Sequence, residues 1–197
     1  MKALSIAPQP FFTPRGTPFS VYYRTLITAE LGVPVDLLTY GEGRDVDIPG
    51  VKIIRIPNFE FLGKVKIGPS PFKLFLDVFI VIWTIGLLLK NKYEIVHAHE
   101  EAIFLCVLLK PIFKYKLIYD MHSSLPEQLT NFNFTTFKPL ISLFKVWEDR
   151  CLHAADATIT ICPSLYDYAR QIVGDHEKVF LIENSIFEEV NLTPQKA

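Results

Sequence analysis

The sequence predicts an α/β fold with a mostly parallel sheet. Short apolar runs alternate with longer segments of helical periodicity along the whole chain. Strands that alternate with helices in this way build parallel sheets. Half of the 197 residues are apolar and 21% are charged, which is the make-up of a packed globular chain and not of a disordered one.

Residues 2–7 form an apolar run that suits a central strand. A proline-rich loop over 8–18 follows, with Arg15, Gly16 and Thr17 at its far end. Ser20 is suited to cap a helix that reaches Leu31 and ends at Gly32, with Val21, Leu26 and Ile27 on its apolar face. Residues 35–40 are the second strand, which completes a β-loop-α-β unit. After a polar turn at 41–50, residues 51–56 read as a strand closed by Pro57, and 58–70 read as irregular.

Ser70-Pro71 marks a helix start, with serine at the cap and proline at the first helical position. The helix contains residues 74–89, almost wholly apolar and shorter than the ~20 residues of a membrane span. Such a helix is buried or lies against lipid. Packing against the sheet is the first reading, membrane contact the second and a true span the third.

Residues 94–98 form a strand that runs into His97-Ala98-His99-Glu100-Glu101. A helix over 102–109 is expected to stop at Pro111. Residues 116–119 are a short buried strand followed by a polar cluster, Asp120 to Glu127. Residues 126–137 read as loop or broken helix. A long helix over 137–153 carries Leu140, Leu143, Phe144, Trp147 and Cys151 at helical spacing. Residues 157–161 are a strand, Pro163 opens a helix to Val173, 178–182 are the last strand, and the tail from Glu183 is polar and acidic.

Net charge is −1, which gives no case for nucleic acid as a partner. The charge is uneven. Residues 61–119 hold eight lysines against four acids, and residues 120–197 hold six basic against eleven acidic groups. A basic, apolar middle fits an anionic surface or substrate as well as it fits ordinary scatter. Three cysteines without metal-ligand spacing are expected as free thiols, Cys106 and Cys162 buried, in a reducing compartment. The first apolar run, residues 3–7, is too short for the apolar region of a secretory signal, so none is expected and a cytoplasmic location is expected, with peripheral membrane contact as an addition.

Three strand ends bring polar groups to one sheet edge: Arg15-Gly16-Thr17, His97 to Glu101, and Asp120 to Glu127. Parallel sheets place ligands outside these carboxyl ends. His122 is a candidate general acid/base or hydrogen-bond donor, favoured by its place at a strand end over a structural pairing with Asp120 or a backbone carbonyl. His97 and His99 face one side of their strand. With Glu101 they form a metal-capable set that lacks a signature spacing. Glu100 and Glu101 also suit the first turn of a helix, where carboxylates meet the dipole. Gly16 permits close backbone approach to a phosphate, and the loop 66–70 is either an anion contact or solvated.

These motifs, taken together, resemble the N-terminal domain of the family 4 retaining glycosyltransferases, which have the two-domain GT-B fold. Residues 31–39, Leu-Gly-Val-Pro-Val-Asp-Leu-Leu-Thr, resemble the end of that family's first helix and its second strand. Tyr93-Glu94-Ile95-Val96-His97-Ala98-His99 resembles its strand ending in H-x-H, and Asp120-Met121-His122 its D-x-H. Trp147-Glu148-Asp149-Arg150, followed by Ala154-Ala155-Asp156-Ala157, resembles a further helix and strand.

The resemblance covers residues 1–186 and implies a Rossmann-like three-layer domain that binds the acceptor. Residues 187–197 would be a polar tail or the start of an interdomain linker, with a C-terminal donor-binding domain absent. It implies hexosyl transfer from a nucleotide-sugar to an acceptor hydroxyl with retention, without metal or other cofactor. The acceptor would be a glycan or a lipid-linked molecule. His122 would lie beside the reacting sugar as the catalytic residue. Arg15, Gly16, Thr17, His99, Glu100, Asp120 and Ser123 would contact substrate. Two departures stand out: Gly16-Thr17 replaces a double glycine, and Glu183-Asn184-Ser185 replaces P-N-G. The chain alone is expected to be inactive, as an excised domain or half of a split enzyme. The alternatives are a non-catalytic partner subunit that keeps the fold, and a flavodoxin-like nucleotide module. A Gly-rich fingerprint after the first strand, which the latter calls for, is missing.

Overall fold

A computed structural model describes residues 1–13, 16–66, 68, 70–124, 126 and 137–183. Seven strands form one sheet: β1 (Ala3–Ala7), β2 (Val35–Thr39), β3 (Val51–Arg55), β4 (Ile95–His99), β5 (Lys116–Met121), β6 (Ala157–Thr160) and β7 (Val179–Leu181). All the pairings are parallel and the order is β3-β2-β1-β4-β5-β6-β7. The described helices are α1 (Gly16–Glu30), α2 (Pro71–Lys90), α3 (Ala102–Phe113), α4 (Lys138–Ala154) and α5 (Pro163–Val173), with short 3-10 turns at Glu60–Leu62 and His176–Lys178. The architecture is a Rossmann-like three-layer α/β fold.

Alternation along the strands decides which layer each helix joins. Leu4, Ile6, Leu38, Val96, Ala98, Leu117 and Tyr119 share one buried cluster with residues of α2, α3, α4 and α5. Ala7 and Leu37 pack on the other face with Phe11, Val21 of α1 and Ile48. Strand order reverses at β1, which has β2 on one side and β4 on the other. That reversal opens a crevice at the carboxyl ends of β1 and β4, the usual ligand position in such sheets.

Several elements differ from the sequence expectation. The first helix starts at Gly16, not at Ser20, which is buried inside it. Pro18 is no obstacle because first-turn N–H groups need no helical partner. Helix α3 runs through Pro111 to Phe113, and Lys114 ends it in the left-handed region, its N–H bonding the Lys110 carbonyl at 2.8 Å. A proline so near the end removes one helical hydrogen bond only. The strand expected at 94–98 lies one residue later, as Ile95–His99. Strand β5 extends to Met121, since Asp120 and Met121 still pair with Ile159 and Thr160. Asp120 is therefore a sheet residue. Cys162 is half-buried, while Cys106 and Cys151 are buried, and all three are free.

Helix α2 has 20 residues and is long and apolar enough to cross a membrane by length and composition alone. Its Leu76, Ile80 and Leu88 nonetheless belong to the main core, so one side packs on the sheet. The expected cap forms, with the Ser70 hydroxyl accepting from the Lys73 N–H at 3.1 Å.

The loop that follows β1 is tied to the loop that follows β2. Phe11 and Gly43 form an isolated bridge, and the Arg44 N–H donates to the Phe11 carbonyl at 3.2 Å. Gly43 has φ +129°, and a Cβ there would lie 2.1 Å from the Phe11 oxygen. Gly32 also has positive φ, +82°, but a Cβ there meets nothing within 4 Å. Gly43→Ala is expected to lower stability by about 2 kcal/mol or more, and Gly32→Ala by about 1. Urea unfolding of the two variants side by side measures the difference.

Candidate functional site

The crevice is organised around Asp120, whose side chain is fully buried near the end of β5. Burial alone would raise its pKa, but the His122, His97 and His99 rings around it hold the carboxyl well below the usual range. Arg24 of α1 donates Nε–H to Asp120 Oδ2 at 2.7 Å, and its second arm donates to the Ile182 carbonyl at 3.0 Å. His97 Nε2 lies 3.1 Å from the same Oδ2. His122 Nε2 lies 3.2 Å from Oδ1. A buried carboxylate is tolerated only with such pairing.

Register explains the convergence. His99 of β4 is the cross-strand partner of Asp120, and Ser5 of β1 is the partner of His97. His97 and His99 point to one side as expected, their rings stacked 4.5 Å apart and 13° from parallel. His99 Nε2 meets the Ser5 hydroxyl at 3.1 Å, and Nδ1 faces His122 Nε2 at 3.5 Å. Burial lowers the His99 pKa well below its ordinary value, with His97 adding to the effect. Burial likewise lowers that of His122, against the pull of Asp120. Both rings are therefore neutral near pH 7.

His97, His99 and Asp120 bring one ligand atom each within 4.8 Å of one another. The Asp120 oxygen they share already holds the Arg24 guanidinium, so a metal ion there would face a fixed positive charge. Glu101 does not join the two histidines. It pairs with Lys73 of α2, which also lies 4.0 Å from Glu100. Glu101 stands at the N-cap of α3, which begins at Ala102, and makes no side-chain cap bond.

Glu100 follows β4 in the left-handed region, φ +49°. Burial, then its neighbour Glu101, pushes its carboxyl up to about 7. Asp77 of α2 bonds the Tyr40 hydroxyl, and burial raises it to about 7 as well. A second, half-buried acidic cluster thus sits beside the histidine site, with Lys73 as its cation.

Of the residues singled out from the sequence, His99, Asp120 and His122 come into one cluster, joined by His97. Glu100 belongs to the neighbouring cluster. Gly16 and Thr17 open α1, and Ser123 follows His122, so both positions lie at the same sheet edge. Arg15 lies outside the described residues, as do the loop 127–136 and the Asn184-Ser185 link. Sequence reasoning missed Arg24 and Ser5. Arg24 sits mid-helix with no motif around it. A polar residue inside an all-apolar first strand was the available signal for Ser5. Glu148 was noted only as part of a motif; it is fully buried and accepts from the Ser124 hydroxyl at 2.9 Å.

An open parallel sheet with its polar residues gathered at the β1/β4 switch point defines a ligand-binding α/β domain. The family model for Glycosyltransferase Family 4 matches residues 21–189, and the chain belongs to that family. No curated protein matches the chain. Among solved structures, the sucrose-phosphate synthase of Thermosynechococcus elongatus is similar with a TM-score of 0.66 and 16% identity, over 92% of this chain and 47% of that one. WaaG, a glycosyltransferase involved in lipopolysaccharide biosynthesis, is similar with a TM-score of 0.58 and 10% identity, over 94% and 46%. HepE of Anabaena, in complex with UDP and glucose, is similar with a TM-score of 0.54 and 14% identity, over 94% and 45%. The chain thus spans about half the length of these proteins and has the Rossmann-like fold of GT-B glycosyltransferases.

Arg24→Met strands the Asp120 carboxylate in the interior. The expected loss is about 3–5 kcal/mol in urea unfolding, and Arg24→Met/Asp120→Asn should lose less than the two single changes added together. A separate test concerns Glu100. The fold holds its proton up to about pH 7, whereas an ordinary glutamate releases it near 4.5. Stability is therefore lost as pH rises from that ordinary range through 7. Glu100→Gln removes this loss, so thermal melts should show the variant gaining on the parent at pH 8 and little changed at pH 5.

Proposed function

We propose that the chain is the acceptor-side half of a retaining glycosyltransferase that moves a sugar from a nucleotide-sugar to an acceptor hydroxyl. The observation that carries this reading is the Asp120 cluster at the switch point, with His122 directly after β5. His122 Nε2 faces Asp120 Oδ1 and His99 Nδ1. On this reading the neutral ring carries its proton on Nε2, the nitrogen turned to Asp120. That leaves Nδ1 with a lone pair. This atom is buried and has no hydrogen-bond partner among the described residues. A sugar or acceptor hydroxyl supplies the missing donor, and His122 orients it against the reacting carbon.

The donor side of the reading rests on α1. The helix begins at Gly16, so the positive end of its dipole suits a donor phosphate. The solved HepE complex with UDP and glucose supports a nucleotide-sugar donor. A donor-binding domain, on the same polypeptide or a second one, completes the cleft on this reading. The 197 residues alone then turn over no donor.

In the presence of such a domain, His122→Ala should cut transfer by about 100-fold or more while far-UV circular dichroism stays close to the parent and the melting temperature falls less than in Arg24→Met, which leaves Asp120 without its cation. Unchanged transfer returns His122 to a structural role beside Asp120. Turnover by the 197 residues alone overturns the half-site reading. Failure of every nucleotide-sugar with the assembled protein favours the non-catalytic subunit.

A further inference from the structure

Helix α2 has two faces, and only one is explained by the core. Leu76, Ile80, Thr84 and Leu88 are buried. On the other side Leu74, Phe75, Val78, Ile82 and Leu89 are exposed, from 41% to 72%. At about 100° per residue these five fall within one sector roughly 100° wide. Only 22% of the helix's most apolar stretch is buried. Its two charged interior residues are both turned to protein partners, Lys73 to Glu101 and Asp77 to Tyr40. The outer face carries no charge from Pro71 to Leu89.

The patch continues beyond the helix. Phe59 contacts both Phe61 and Phe75, and Phe61 is 80% exposed. Exposed lysines stand at both ends: Lys64 and Lys66 before the helix, Lys90 and Lys92 at its end. The exposed acids flanking this stretch are Glu60 before the helix and Glu94 after it, and the Glu94 carboxylate is engaged by the backbone N–H of Lys2.

We propose that this face docks on an anionic lipid bilayer, with α2 lying in the plane of the interface. Its apolar stripe enters the acyl boundary, and the lysines at each end meet headgroup phosphates. The charge pattern decides between occupants. A second copy laid on the stripe in either direction brings lysine against lysine, whereas an anionic plane satisfies both ends at once. A crossing helix is opposed by the buried side, which packs on the sheet. The first turn of α2 also holds Lys73, the partner of Glu101 beside His99, so docking brings the crevice edge next to the bilayer. For the substrate this implies an acceptor carried on a lipid, and that step alone rests on the function proposed above.

The test is vesicle co-sedimentation of the full chain with phosphatidylcholine alone and with 30% phosphatidylglycerol added, a composition chosen to give a surface potential of roughly the physiological size. Binding is expected with phosphatidylglycerol at low salt and should weaken severalfold near 0.5 M salt. Val78→Glu/Ile82→Glu should lower bound protein about tenfold or more, and Lys64→Glu/Lys66→Glu severalfold, with melting temperatures near the parent's. Trp83 lies in α2, so brominated lipid should quench tryptophan fluorescence in the parent and not in the Val78→Glu/Ile82→Glu variant. No binding at low salt overturns the proposal, as does binding that both variants retain. A dimer in sedimentation velocity that Val78→Glu/Ile82→Glu dissociates, without vesicle binding, assigns the face to a second copy. None of these readouts depends on sugar transfer, so they stand whether or not the transferase reading holds.

Discussion

The buried carboxylate of Asp120 is the constraint on which the sheet edge depends. A charge with no solvent access must be surrounded by donors, and here they come from distant parts of the chain. Arg24 descends from α1, His97 comes from β4, and His122 follows Asp120 on the same strand. The Arg24 guanidinium also holds the carbonyl of Ile182, just after β7. One ionised group therefore ties the first helix to three strand ends. The ring nitrogen of His122 that faces it is Nε2, 3.2 Å from Oδ1.

Next to it lies a cluster with the opposite habit. Asp77, Glu100 and Glu101 crowd around one ammonium group, Lys73, and burial first, then the charge of Glu101, pushes the other two carboxyls up to about 7. Asp120 has cationic and dipolar partners and is held far below. The two sites sit at the end of the same strand, β4, and differ because one is rich in donors and the other poor. Helix α2 links this second cluster to the outside of the molecule. It is held to the sheet by Leu76, Ile80 and Leu88 and presents its uncharged side outward.

Much of this was legible in the sequence, and the misses have definite causes. The strands are apolar runs, and the period-two pattern of His97 and His99 put both rings on one face. Gly32, Ser70-Pro71 and Pro163 marked helix ends through backbone chemistry that acts locally. The start of α1 was missed because Pro18 reads as a loop residue, although a first turn accepts it. Pro111 was read as a stop, yet the helix had only one turn left to run. Asp120 was read as a loop residue because a charge seldom extends a buried strand. Here register with His99 and Ile159 carries the ladder through it.

The sequence by itself determined the fold class, the order of elements, the family resemblance and the edge at which polar groups would gather. These follow from periodicity, turn residues and the rule that parallel strands end on one side. Tertiary structure decided which polar groups meet. Arg24 and Asp120 are 96 residues apart, and Ser5 and His99 are 94 apart. No local pattern encodes such pairs, since they arise only when strand order and register bring β1, β4 and β5 side by side beneath α1. The same holds for the face of α2 left outside, because an evenly apolar helix does not show in its sequence which side the sheet will take.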